Sequence, residues 1–134
     1  ARQGSTRAPQ WTGGGMVFAP VPRDYSFKIN RKEKRAALKS ALTSKVQDSN
    51  LIVVDELKFG EIKTKNFVAV MKNLKVENGL VVLKDNDKNV VLSARNLPAI
   101  NTIQADEINV YDIMKAKKVV LTKDAVAKIE EVYA

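Results

Sequence analysis

Residues 51–83, LIVVDELKFGEIKTKNFVAVMKNLKVENGLVVL, decide the fold of this chain. Two short apolar runs, Leu51–Val54 and Gly79–Leu83, flank a segment over 63–74 whose apolar residues recur at helical spacing. Apolar runs of this length, bounded by polar or turn residues, predict buried strands, and the segment between them predicts a helix. A strand, a helix and a second strand in this order predict a βαβ unit with parallel strands.

The same alternation continues toward the C-terminus. Capping and turn residues mark five further elements. These are a helix over 89–97 that follows the turn Asp85-Asn86-Asp87 and ends before Pro98, a strand over 101–104, a short helix capped by Asn109, a strand over 118–121 and a helix that Thr122 caps. Residues 31–134 are therefore predicted to form an α/β domain, with an open, mainly parallel sheet flanked by helices.

Residues 31–46 predict a helix that stands out from the others by its charged first turn. Asn30 can cap this helix, and Glu33 completes a capping box. The predicted apolar stripe begins only after about a turn and a half and consists of Ala37, Leu38, Ala41, Leu42 and Val46. We expect the basic end to project beyond the core, where phosphates would offset the unfavourable interaction of its cations with the helix dipole.

Residues 1–30 show neither helical nor strand periodicity. Three prolines and the triplet Gly13, Gly14 and Gly15 break both patterns, and residues 1–23 carry three cations and no acid. A polar segment this long is abnormal inside a compact domain, where most connections have about 4–6 residues. We therefore predict a long, extended, basic N-terminal arm that finds its partner outside its own domain. Trp11, the only tryptophan, favours an intermolecular contact such as stacking on a base.

The net charge of +8 is concentrated in the first part of the chain. Residues 1–50 contain ten Lys and Arg against three Asp and Glu, whereas residues 51–134 contain thirteen against twelve. Such segregation points to a polyanionic partner. Nucleic acid is favoured over a membrane surface, because the arm is broken by glycine and proline and forms no amphipathic helix.

The composition excludes several kinds of site. Cysteine and histidine are absent, which excludes thiol catalysis and Cys-ligated zinc and removes the commonest general base and metal ligand. No apolar run approaches the roughly 20 residues that a membrane span needs. We therefore predict no catalytic residue, no metal, no cofactor, no small-molecule substrate and no membrane partner.

The sequence also allows a different class of function. Asp55 and Glu56 follow the first predicted strand, the place where ligands usually bind in open α/β sheets, and Thr122 and Lys123 follow the last one. This pattern allows a small receiver-like or ligand-binding α/β domain with a basic tail. A nucleic-acid-modifying enzyme is disfavoured, because no clustered carboxylates accompany the missing histidine and cysteine.

Four stretches of this sequence resemble the bacterial large-subunit ribosomal protein L4 family. ARQGSTRAPQWTGGGMVFAPVPRDYSFKINRKEKRAALKSAL (1–42) is similar to the returning half of that family's long loop and the helix after it. SARNLP (93–98), INVYDI (108–113) and VVLTKDAVAKIEEVYA (119–134) resemble its C-terminal half in order and spacing. The resemblance covers essentially the whole chain. Because the chain begins at Ala1 without a methionine, we expect an N-terminally incomplete member of the family.

The resemblance implies a structural, non-enzymatic constituent of the large ribosomal subunit, acting in the cytoplasm, whose loop lines toward the peptide exit tunnel. The implied partners are large-subunit ribosomal RNA and neighbouring ribosomal proteins, including one at the tunnel constriction. On this resemblance, we expect no tunnel-tip residue within this chain. The RNA-binding role is carried over to the following residues of the arm and the first helix: Arg2, Gln3, Ser5, Thr6, Arg7, Trp11, Gly13, Gly14, Gly15, Arg23, Lys28, Arg31, Lys32 and Arg35.

Overall fold

The computed structural model describes residues 4–133 and contains alternating helices and strands after a long N-terminal segment. In chain order the elements are α1 (Arg31–Gln47), β1 (Leu51–Val54), α2 (Thr64–Asn73), β2 (Gly79–Leu83), α3 (Lys88–Ala94), β3 (Ile100–Gln104), α4 (Val110–Lys115), β4 (Lys118–Thr122) and α5 (Lys123–Tyr133). A single 3-10 turn, Ala105–Glu107, follows β3. The predicted α/β fold with a long N-terminal arm is confirmed.

The four strands form one sheet in the order β1-β4-β2-β3, and each neighbouring pair is parallel. The central strand β2, GLVVL, is buried at every position. Strands of a parallel sheet are covered on both faces, so a continuous apolar run is what such a strand requires. The sheet predicted as mainly parallel is therefore parallel throughout the part of the chain that the structure describes.

Helices cover both faces of the sheet, which gives three layers. On one face α1, α4 and α5 pack against Leu80 and Val119, and on the other α2 and α3 pack against Val81 and Val120. Successive side chains of a strand point to opposite faces, so each central strand contributes to both cores. Within residues 4–133, no helix combines the length and apolarity needed to cross a bilayer.

Helix α1 begins as predicted and differs from the prediction at its other end. Glu33 accepts a hydrogen bond from the Asn30 N–H at 3.3 Å, the carboxylate half of the predicted capping box. The assignment of Ala37 and Val46 to the buried stripe is wrong, because both residues are exposed, Val46 to 60%. Lys45 is buried instead, and its Nζ donates to the Ala116 carbonyl at 2.9 Å. A lysine stem can cover apolar surface while its ammonium reaches a polar partner.

Helix α3 is shorter than the predicted helix over 89–97. It spans Lys88–Ala94, and Asp87 caps it by accepting from the Asn89 N–H at 2.9 Å. Pro98 disfavours the helical conformation of the residue before it. Leu97 accordingly leaves the helix and donates its N–H to the Ala94 carbonyl at 2.9 Å. This early end lets β3 begin at Ile100, one residue before the predicted strand.

Candidate nucleic-acid interface

Residues 4–29 contain no helix and no strand, and nearly every side chain in this arm is exposed. Arg2 and Gln3, which were also expected to contact RNA, lie outside the described residues. Among the other expected contact residues, Gly14 is half-buried and the following are exposed: Ser5, Thr6, Arg7, Trp11, Gly13, Gly15, Arg23, Lys28, Arg31, Lys32 and Arg35. The structure therefore leaves these polar groups accessible to a partner.

Residues 7–15 close into a loop that is held by backbone hydrogen bonds. The Gly15 N–H donates to the Arg7 carbonyl at 2.8 Å, across the base of the loop. Inside it, the Trp11 N–H donates to the Ala8 carbonyl at 3.0 Å and the Gly14 N–H to the Trp11 carbonyl at 2.9 Å. The arm is thus not extended along its whole length, because two consecutive turns fold this part back on itself.

The two turns follow known sequence preferences. In the first turn Pro9 occupies the second position, where its fixed φ is favourable. In the second turn Gly13 occupies the third position with φ of +79°, which suits glycine. Pro9 and Gly13 are therefore the residues from which the loop could be predicted.

Position 14 requires glycine, because the backbone of Ala8 and Trp11 lies close to it. A Cβ built on Gly14 would lie 2.0 Å from the carbonyl oxygen of Ala8 and 2.9 Å from that of Trp11. Real side chains do not tolerate such distances to backbone atoms. The glycine triplet was predicted to serve either as a hinge or for close backbone approach, and at Gly14 the approach is to the arm's own backbone.

Exposed apolar side chains lie between the cations of the arm. The tryptophan is 49% exposed, and six further side chains are exposed to a greater degree: Met16, Val17, Phe18, Val21, Tyr25 and Phe27. Only Trp11 was singled out from the sequence. A run of large exposed apolar groups marks an interaction site, and aromatic rings beside cations suit the stacking of unpaired bases.

Local contacts order the part of the arm around its one acidic residue. The Arg23 guanidinium lies 4.7 Å from the centre of the Tyr25 ring, within the range of a cation–π interaction. Asp24 accepts a hydrogen bond from the Ser26 N–H at 2.8 Å, and the hydrogen bonds from Ser26 lower the pKa of this carboxyl group. The carboxylate is thus held by the neighbouring backbone, and the guanidinium stays exposed.

The first turn of α1 adds a rigid cluster of cations to the arm. Arg31, Lys32, Lys34 and Arg35 are exposed, and none of them forms an ion pair within residues 4–133. The N-terminus of a helix carries a partial positive charge, so cations there are unfavourable unless an anion is close. A phosphate group near this turn would offset that cost.

The structure assembles only part of what a receiver-like domain would need. Asp55 follows the edge strand β1 next to the end of β4, where Val54 is paired with Thr122, but β4 and β2 separate Asp55 from Asp106, the acid that follows β3. Thr122 is buried, and its hydroxyl accepts from the Ala125 N–H at 3.3 Å to cap α5. Within the described ranges no set of acidic groups is arranged to hold a metal ion. We therefore expect no acyl-phosphate labelling of Asp55.

The acidic residues at the ends of β2 and β3 are instead bound to one lysine. Lys128 Nζ lies 2.6 Å from Asp106 Oδ2, 3.6 Å from Asp85 Oδ1 and 3.2 Å from the Lys84 carbonyl oxygen. The hydrogen bond to Asp106 raises the pKa of Lys128, which keeps the ammonium charged. This cluster ties α5 to the strand ends, so its role is structural.

Comparison with known proteins gives matches along the whole chain. The model of the ribosomal protein L4/L1 family matches residues 1–132. The similar curated proteins include those named large ribosomal subunit protein uL4 from Agathobacter rectalis, 67% identical over 134 residues, and from Lachnoclostridium phytofermentans, 65% identical over 134 residues. Each alignment covers 100% of this chain, and the chain spans 65% of the length of these relatives.

Proposed function

This chain belongs to the ribosomal protein L4/L1 family, and on that premise we propose that it is a structural constituent of the large ribosomal subunit. It binds large-subunit ribosomal RNA through the arm and the first turn of α1, and it catalyses no reaction. Its place of action is the ribosome, in the cytoplasm. The observation that carries this proposal is the continuous run of exposed cations and aromatic rings over residues 4–35, with α1 anchoring it to a folded body.

The arm and the helix divide the work of RNA binding in this proposal. Contacts to phosphates fix the position of a protein on nucleic acid, and Arg7, Arg23 and the cations at the start of α1 supply them. Trp11 stacks on an unpaired base from its place in the closed loop, a contact worth about 1–3 kcal/mol. Helix α1 packs on the core through Leu38 and Ala41, which holds its cations in one position relative to the body.

The reach of the arm supports a second part of the proposal, which is that it runs inward toward the peptide exit tunnel. Beyond the closed loop, residues 16–29 would span at most about 50 Å when fully extended, because each residue adds at most about 3.6 Å. The arm also carries apolar side chains such as Val17, Phe18 and Val21 that have no core of their own. These side chains give a neighbouring ribosomal protein at the tunnel constriction a surface to contact.

Trp11 makes the proposal testable by fluorescence. Because it is the only tryptophan and is half-exposed in the arm, its emission reports on the arm alone. In the free chain we expect red-shifted emission that iodide quenches readily. Adding a large-subunit ribosomal RNA transcript should shift the emission and protect the indole, whereas an unrelated RNA of equal length should do so only at much higher concentration. Emission that is already blue-shifted and shielded without RNA would contradict an arm open to RNA.

The closed loop of the arm gives a more specific prediction. Gly14→Ala should open the loop, because the added methyl group collides with the Ala8 carbonyl, and RNA affinity should fall about tenfold as part of the stacking energy is lost. Gly4→Ala is the matched control, since a Cβ there meets nothing within 4 Å. The measurement is a binding titration of both variants and the wild-type chain. Equal affinities for the two variants would show that the loop does not position Trp11 for RNA.

A further inference from the structure

Five lysines from two separate segments meet at the amino end of the sheet. Lys72 and Lys75 come from the end of α2 and the turn after it, and Lys115, Lys117 and Lys118 come from the end of α4 and the start of β4. We call these five residues the lysine edge. In the sequence the two segments are about 40 residues apart, and they meet because β2 and β4 are neighbours, with Gly79 paired to Lys118.

Hydrogen bonds connect the two segments directly. The Lys118 N–H donates to the Asn78 carbonyl at 3.2 Å, and the Lys117 N–H to Asn78 Oδ1 at 3.3 Å. Lys118 Nζ donates to the Lys75 carbonyl at 3.0 Å, and the Lys75 N–H donates to the Lys72 carbonyl at 3.0 Å. The backbone of the lysine edge is therefore held by contacts that leave most of its ammonium groups in solvent.

Residues 51–134 are nearly neutral as a whole, but their positive and negative charges are unevenly distributed. Residues 72–78 and 115–118 together carry five lysines and one acid, Glu77, whereas the rest of 51–134 carries eight cations and eleven acids. Within residues 4–133 none of the five lysines forms an ion pair with an acidic side chain. The lysine edge is therefore a separate positive surface within residues 51–134, which are otherwise slightly acidic.

Local structure explains only part of this cluster. Cations are favourable at helix C-termini, and α2 and α4 both end here, which accounts for a modest stabilisation by Lys72 and Lys115. Lys75 has φ of +54°, a conformation that favours glycine after a helix, so the backbone gives no reason for a lysine there. Next to this edge, Tyr111 is 70% exposed and the Lys115 ammonium lies 5.5 Å from the centre of its ring.

We propose that the lysine edge is a second RNA-binding surface, which takes the sugar–phosphate backbone of large-subunit ribosomal RNA independently of the arm. This inference rests on the proposed function and extends it to the body of the protein. Helix α1 separates the two surfaces, since its 17 residues rise about 1.5 Å each, or about 25 Å in all. Its far end leads into β1 beside β4, where the Val119 N–H donates to the Asn50 carbonyl at 2.8 Å. The body therefore bridges two segments of RNA.

The test compares two variants of the full chain that carry the same change in charge. In the first, Lys72, Lys75, Lys115 and Lys117 are replaced by Gln. In the control, Lys65, Lys84, Lys88 and Lys123 are replaced by Gln; these lysines are also exposed but lie outside the lysine edge. Binding to a large-subunit ribosomal RNA transcript is measured between 50 and 200 mM salt. Because each phosphate contact contributes about 0.7–0.9 to the slope of log K against log salt, the first variant should lose about three units of slope and the control none.

A measurement on the wild-type chain keeps the test independent of variant folding. Bound RNA should protect Lys72, Lys75, Lys115 and Lys117 from acetylation, whereas the four control lysines should stay reactive. If the wild-type chain binds RNA with a steep salt slope but the two variants behave alike and the lysine edge is acetylated equally with and without RNA, the inference is wrong and the proposed function stands. A wild-type chain without salt-dependent binding to the transcript would overturn both.

Discussion

Raising the salt concentration from 50 to 200 mM should weaken binding of this chain to large-subunit ribosomal RNA by about 10³ to 10⁵, the loss expected when six to ten phosphates are contacted. The structure provides enough cations for this number of contacts. Within residues 4–35 seven exposed Lys and Arg are available: Arg7, Arg23, Lys28, Arg31, Lys32, Lys34 and Arg35. The measurement is a series of equilibrium titrations in which the logarithm of the affinity is plotted against the logarithm of the salt concentration.

Two changes to the arm separate the effect of its charge from that of its length. Deleting residues 1–28 should flatten the salt dependence, because four cations are removed. Replacing Arg7, Arg23 and Lys28 by Gln keeps the arm at full length and should lower the slope by about two to three. The lysine edge and the first turn of α1 would account for the slope that remains. An unchanged slope in both variants would mean that the body alone carries the binding.

Phe67→Ala should destabilise the body by about 3–5 kcal/mol, the usual cost of removing a fully buried phenylalanine. Phe67 of α2 has no exposed surface, and it packs with Met71 and Val81 and against the Phe59 ring, whose centre is 5.9 Å away. A domain of about 100 residues loses roughly 4–8 °C of Tm per kcal/mol, so the midpoint of thermal unfolding should fall by roughly 12–40 °C. Circular dichroism during heating measures this shift.

Phe27→Ala is the matched control for this substitution. Phe27 is 82% exposed in the arm and contributes nothing to either core. Its removal should change the free energy of unfolding by no more than about 0.5 kcal/mol, while RNA binding should weaken because an exposed aromatic ring is lost. Equal melting temperatures for the two variants would refute the placement of Phe67 in the core.

The α/β architecture could be predicted because its signals are local. The run from Gly79 to Leu83 is apolar at every position, which only a strand covered on both faces requires. Asn30 and Glu33 marked the start of α1 in the same way, since capping depends on residues three positions apart. The concentration of charge in residues 1–50, the arm and α1, was equally visible, because it depends on composition alone.

The errors fell where burial depends on a neighbouring element. Val46 has the spacing of a core residue, but it is 60% exposed. The adjacent Lys45 is buried because α4 offers it the Ala116 carbonyl, a partner that helical periodicity does not reveal. The closed loop of the arm differs from the predicted extended arm for another reason. Pro9 and Gly13 carry local turn signals, but prolines and glycines also break helices and strands, and composition does not distinguish the two roles.

By itself the sequence determined the class of fold, the limits of most elements and the concentration of charge in the arm and α1, because each depends on residues close together in the chain. Only the tertiary structure decided the strand order β1-β4-β2-β3, because strand pairing is a long-range choice that strand and helix patterns leave open. That order separates Asp55 from Asp106 and brings Lys75 beside Lys118. Residues 51–134 are nearly neutral in sequence but form the positive lysine edge when folded, because charges that are balanced along the chain need not be balanced in space.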